Sequence, residues 1–145
     1  FGLLAGQLLG PGIAWVSVLA AAAAANLLNA FIQPVTHSSV GASTAVFATL
    51  GLLSAYAWRK RAGQGDRWAY RWAPLVAGVI LLGFTGAGGE RTDVLAHLTG
   101  FAMGALAGIA HASWRSPRGT VAQVAAGLLS LALVGVAWML ALASA

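Results

Sequence analysis

Long runs of apolar residues fill the chain, and short clusters of polar and charged residues separate them. About 20 apolar residues in helical form are enough to cross a hydrocarbon core of about 30 Å. The pattern predicts an all-α, polytopic transmembrane helical bundle of about five spans. The predicted spans cover residues 13–31, 42–58, 73 to about 83, 92–111 and 120–145.

The apolar segment that ends by Gly10 is too short to be a span. As a helix it would rise only about 15 Å, half of a bilayer core. We therefore interpret it as the tail of a preceding helix. On this interpretation residues 1–145 form a single membrane domain that lacks its first helices, and residues 120–145 form an extra C-terminal transmembrane helix.

The composition supports a membrane protein and excludes other classes. Hydrophobic residues make up 59% of the chain and charged residues 8%, whereas roughly 25% of the residues in a soluble domain are charged. The net charge of +5 would suggest nucleic-acid binding in a soluble protein, but here the basic residues lie in short loops. We therefore predict a lipid bilayer as the environment and no nucleic-acid partner. The absence of cysteine excludes disulfides and thiolate chemistry.

The charges of the loops predict the orientation of the spans. Two loops carry seven of the eight basic residues: Arg59, Lys60, Arg61, Arg67, Arg71, Arg115 and Arg118. Only Arg91 lies on the opposite side, with Glu90 and Asp93. Because basic loops stay in the cytoplasm, spans 42–58 and 92–111 both run from outside to inside and are parallel.

The Ala, Gly and Arg bias of the composition favours a bacterial plasma membrane as the location.

These two parallel spans contain the candidate chemistry, Ser43 and His97. An ionisable residue in hydrocarbon is costly to keep and is a functional candidate by default. Ser43 precedes Arg59 by about 24 Å of helix, and His97 precedes Arg115 by about 27 Å. The difference of about 3 Å is less than one helical turn. We therefore expect both side chains at one level, below the outer surface.

Small residues beside both candidates would let their helices approach closely. Gly100, Gly104 and Gly108 recur at every fourth position after His97 and form a small-xxx-small surface. The serine helix has similarly small residues at Ala42, Ala45, Ala48 and Gly51. This pattern predicts that the hydroxyl of Ser43 comes within hydrogen-bond reach of the imidazole.

Both segments resemble a known family. Residues 41–47, GASTAVF, resemble the GxSx segment of the rhomboid intramembrane serine proteases, and residues 96–101, AHLTGF, resemble their histidine helix. The resemblance extends over essentially the whole chain. It implies a cofactor-independent serine endopeptidase that cleaves transmembrane segments of other membrane proteins.

The resemblance also implies roles for single residues. Ser43 would be the nucleophile and His97 the general base and acid. Gly41 belongs to the serine motif, the backbone N–H of Ser43 would donate to the oxyanion, and Phe47 would pack on the imidazole. The glycines at 86–89 would admit water and an unwound substrate from outside.

Several residues leave alternatives open. In the family further oxyanion donors precede the region matched by Phe1, and Asn26 and Asn29 could replace them. For this reason we predict little or no activity for residues 1–145 expressed alone. Asp93 lies one turn before His97 and is either an N-cap or a third catalytic residue. A metal site lacks a third ligand and any HExxH spacing.

Other histidines and other protein classes are less favoured. His111 would lie about 21 Å below His97, too deep for the site, and His37 belongs to the outer loop. A catalytically inactive rhomboid-like protein that binds transmembrane clients is the main alternative, but such relatives typically lack one member of the dyad. A transporter would need a polar pathway through the apolar inner halves of the helices. Oligomeric state and natural substrate have no signal in the sequence.

Overall fold

The computed structural model describes residues 1–33, 42–62, 67–86, 93–114 and 117–143. These residues form α-helices, with no strand among them, which confirms the all-α prediction. The helices are α1 (Gly2–Leu9), α2 (Pro11–Ile32), α3 (Ser43–Arg61), α4 (Trp68–Gly86), α5 (Val94–Ser113) and α6 (Thr120–Ala143).

Helix α4 begins earlier than the sequence pattern predicts. The predicted span starts near residue 73, after a charged and aromatic loop, whereas α4 starts at Trp68. Trp68 stacks near Trp72, with ring centroids 5.9 Å apart, and Arg71 lies over the ring of Trp58 at 5.2 Å. These contacts order an amphipathic first turn that hydropathy alone assigns to a loop.

Within the described residues, four helices are long and apolar enough to cross a membrane: α2, α4, α5 and α6. Helix α3 has 19 residues but is not one of them, although the pattern predicts a span there. It buries Thr44, Thr49 and Ser54 and ends in three basic residues. Helix α3 packs against α1, α2, α4 and α5, so these buried side chains face protein. One of them, Thr49, donates through Oγ1 to Ala45 O at 2.8 Å.

The most extensive helix contact joins α3 to α5 and depends on glycine. A Cβ on Gly100 would lie 2.7 Å from the carbonyl oxygen of Thr44. A Cβ on Gly104 would overlap the carbonyl of Ala48, and one on Gly108 would overlap that of Leu52. Residue numbers rise together along both helices in these three contacts. The helices carrying Ser43 and His97 are therefore parallel, as the loop charges predict.

Helix α6 packs on α2 and supports the turn between α1 and α2. Gly10 forms this turn with a φ of 87°, a conformation that favours glycine. The side chain of Gln123 on α6 accepts from the N–H of Ile13 at 3.1 Å and donates to the carbonyl of Leu9 at 3.0 Å. One amide side chain thus satisfies the backbone at the end of α1 and at the start of α2.

Candidate functional site

His97 is a buried residue in the first turn and a half of α5, with 7% of its surface exposed. Its Nδ1 lies 2.8 Å from the carbonyl oxygen of Gly86, the last residue of α4. A carbonyl can only accept, so Nδ1 donates and Nε2 is the basic nitrogen of the neutral ring. The final carbonyls of a helix have no partner in that helix. The end of α4 therefore both receives a hydrogen bond and fixes the tautomer of the imidazole.

Phe47 fixes the plane of the imidazole. The centroids of the Phe47 and His97 rings lie 4.3 Å apart, with an angle of 37° between the planes. Phe47 is 6% exposed and lies one turn after Ser43 on α3. This contact is the one that the family resemblance implies for Phe47. It connects the helix of the serine to the ring of the histidine.

Gly86 has a role that the sequence pattern does not reveal. The glycines at 86–89 are predicted only as an opening for water and substrate, and residues 87–89 lie outside the described residues. A Cβ on Gly86 would lie 3.1 Å from Phe47 Cζ and 3.4 Å from His97 Nδ1. Glycine therefore lets the end of α4 reach the histidine. The partner is a backbone atom, so the only sequence signal is a small residue near a helix end.

Ser43 is the first residue of α3 and is half-buried. The first N–H groups of a helix have no partner within it and lie at its positive end. The N-cap residue is Ala42, and no side chain of the described residues caps this end of α3. The backbone around Ser43 can therefore donate to the oxyanion that forms when the Ser43 hydroxyl adds to a carbonyl group. Gly41, the other residue of the predicted serine motif, lies outside the described residues.

The helix register places Ser43 and His97 at similar depths. Because Thr44 faces Gly100, Ser43 is level with Thr99, and His97 lies about 3 Å nearer the outer end. The sequence count predicts the same difference. Among the hydrogen bonds of the described residues, none joins Ser43 to His97. Their direct contact stays a prediction, and such pairs are often looser without substrate.

Asp93 caps α5. Its Oδ1 accepts from the N–H of Ala96 at 2.9 Å, and Gln33 Nε2 donates to the same carboxylate oxygen at 3.3 Å. The imidazole Nδ1, which a third catalytic residue would hold, is bonded to Gly86. Of the two roles open to Asp93, the N-cap is the one observed. It fixes the start of the helix that carries His97.

The two candidate asparagines differ in burial. Asn29 on α2 is 8% exposed, and its Oδ1 accepts from Thr99 Oγ1 at 3.0 Å. Asn26 is exposed. Asn29 therefore ties α2 to α5 two residues beyond His97 on the chain. The Asn29 amide contacts the helix that carries His97, and this contact positions the helix.

The remaining histidines lie apart from this site. His111 is near the far end of α5, where its Nε2 lies 2.8 Å from Ser17 Oγ. His37 lies outside the described residues. In the described part of the chain no group of three or more His, Cys, Asp or Glu side chains could hold a metal ion.

Comparison with known proteins identifies one family. The Rhomboid domain family model matches residues 1–114, which include α1 to α5. Helix α6 lies beyond the matched residues. No curated protein and no solved structure matches the chain.

Proposed function

Because the chain belongs to the rhomboid family, we propose that it is an intramembrane serine endopeptidase with Ser43 as nucleophile and His97 as general base. The active members of the family are intramembrane serine proteases, and four described helices of this chain are long and apolar enough for a membrane protein. The main support for the two residues is the setting of the imidazole. It is buried, packed against Phe47 and bonded through Nδ1 to Gly86, so Nε2 is the atom that takes a proton.

The chemistry uses two helix ends of opposite polarity. Ser43 Oγ attacks the carbonyl carbon of the scissile peptide while its proton moves to Nε2 of His97. The carbonyl oxygen becomes an oxyanion beside the N–H groups at the positive end of α3. The positive imidazolium forms beside the negative end of α4, where Gly86 accepts its second N–H. Both charges of the transition state are stabilised by groups already in place.

Breakdown of the tetrahedral intermediate, followed by hydrolysis of the acyl-enzyme, regenerates the free enzyme. Nε2 gives its proton to the leaving amine nitrogen, the C–N bond breaks and an acyl ester remains on Ser43. Water then attacks the ester and gives a proton to Nε2, which passes it to Ser43 Oγ as the ester bond breaks. The products are an amine and a carboxylic acid, and no cofactor takes part.

The proposed substrates are transmembrane segments of other proteins, cut near the outer side of a bacterial plasma membrane. A helical segment in lipid keeps its carbonyls in hydrogen bonds, so it must unwind locally before attack. We expect cleavage to favour small residues and helix-destabilising sequence. The position of Ser43 at the outer end of α3 supports cleavage near the outer surface.

A fluorophosphonate, which labels activated serines, tests the proposal in the full-length purified protein. Wild type should be labelled, and Ser43→Ala and His97→Ala should each abolish labelling. Ser54→Ala is the matched control, because Ser54 is a buried serine of the same helix and lies outside the site.

Two results would contradict the assignment. Labelling of Ser43→Ala at the wild-type rate would exclude Ser43 as the nucleophile. A folded wild-type protein that resists labelling but still binds transmembrane clients would favour the inactive, client-binding alternative.

A further inference from the structure

A cavity lies at the opposite end of the bundle from Ser43 and His97. It has a volume of about 520 Å³ and lies between the ends of α1, α3 and α5 and the residues before α6. Lys60 on α3, His111 on α5 and Arg118 are among the residues that line it. His111 is about 21 Å along α5 from His97. By the positive-inside rule this end faces the cytoplasm.

Among the described residues, the basic side chains that line the cavity have no carboxylate beside them in its wall. None of its lining residues is acidic, and Asp93 at the far end of α5 is the only acidic side chain in the described part of the chain. Lys60 and Arg118 are exposed. The guanidinium of Arg118, which has five donors, makes one long contact of 3.4 Å with the carbonyl of Leu8. A recess lined by cations attracts a compact anion such as a phosphate group.

The walls also indicate which class of phosphate compound would fit the cavity. Leu8 lines the cavity and is 37% exposed, and Leu4, one turn earlier on α1, is 53% exposed. Trp114 also lines the cavity, is 76% exposed and has the amphipathic ring favoured at a membrane interface. An apolar surface thus leads from the cations toward the hydrocarbon. A free phosphate would leave this apolar surface exposed, whereas the acyl chain of a phospholipid would cover it.

We propose that this cavity binds an anionic phospholipid of the cytoplasmic leaflet. Lys60 and Arg118 contact the phosphate, and an acyl chain lies along Leu4 and Leu8. Basic pockets between transmembrane helices on the cytoplasmic side suit such headgroups. Because its walls come from three helices and the residues before a fourth, a bound lipid would hold the inner end of the bundle together.

Native mass spectrometry of the full-length protein in neutral detergent tests this inference. The detergent removes the general attraction of a charged membrane surface. Dioleoyl phosphatidylglycerol should be retained at least fivefold better than dioleoyl phosphatidylcholine. Lys60→Gln and Arg118→Gln should each weaken phosphatidylglycerol binding about fivefold, the loss expected for one cation at an anionic headgroup. Lys60→Arg should keep most of the binding.

Arg67→Gln is the matched control, because Arg67 is an exposed basic residue on the same side that does not line the cavity. It should change binding less than twofold. An equal loss in Arg67→Gln and Lys60→Gln would overturn the site. Binding of glycerol phosphate as tight as that of phosphatidylglycerol would show a phosphate site and overturn the assignment to lipid. Unchanged unfolding midpoints without added lipid would show that the variants are folded.

Discussion

Replacing Gly100 with alanine should move the catalytic helices apart at the site itself. Gly100 lies one turn beyond His97, and it faces Thr44, the residue after Ser43. The new Cβ would lie 2.7 Å from the Thr44 carbonyl oxygen and 3.2 Å from Thr44 Cγ2, whereas ordinary contacts begin at 3.4 Å. The helices must therefore separate by about 0.7 Å, since the obstacle is backbone and cannot rotate away.

The consequence should be greater for activity than for stability. Overpacking costs about 1–3 kcal/mol, and the better helix propensity of alanine returns about 1 kcal/mol. A misplacement of about 1 Å can lower a rate about 100-fold, so we expect fluorophosphonate labelling to slow at least tenfold. The assay compares labelling rates and unfolding midpoints of Gly100→Ala and wild type.

Gly83→Ala provides the matched control for this substitution. Gly83 lies inside α4, and a Cβ there meets nothing within 4 Å. We expect a labelling rate within twofold of wild type. Gly100→Ala protein that is folded and labels as fast as wild type would refute the argument that this contact sets the spacing of Ser43 and His97.

Three other substitutions test the surroundings of the dyad. Phe47→Ala removes the ring packed on the imidazole. It should slow labelling at least tenfold and lower the free energy of unfolding by about 3–5 kcal/mol. Phe47→Tyr should retain most of the labelling rate, and equal rates in Phe47→Ala and wild type would contradict the packing role. Asp93→Asn should keep labelling within a few-fold, because asparagine caps a helix as well as aspartate does; a loss as large as that of Ser43→Ala would restore Asp93 as a third catalytic residue. Asn29→Ala removes the hydrogen-bond acceptor of Thr99 and should lower the free energy of unfolding by about 1 kcal/mol. Its labelling rate should stay within a few-fold of wild type. A labelling rate about 100-fold lower would indicate a direct contact of Asn29 with the oxyanion.

The sequence by itself determines the helical class, most span positions and the relative depth of the two candidates. Hydropathy and loop charge act locally along the chain, so they predict parallel helices for Ser43 and His97, and counting residues gives the same offset of about 3 Å as the helix register. The pattern places the start of α4 five residues late, because the aromatic and basic first turn at Trp68 has the composition of a loop. Helix α3 is not among the described helices that are apolar enough to cross a membrane. It can contain polar residues because its neighbours are helices.

Only the tertiary structure decides the hydrogen-bond partners around His97. Asp93 is in register to face the imidazole, but its carboxylate caps α5, and His97 Nδ1 bonds to the carbonyl of Gly86. A carbonyl is present at every residue and has no side-chain signature, so its selection depends on where α4 ends and how closely it approaches α5. That approach depends on helix rotation and on the space left by a missing Cβ, which are properties of packed helices and not of a hydropathy pattern.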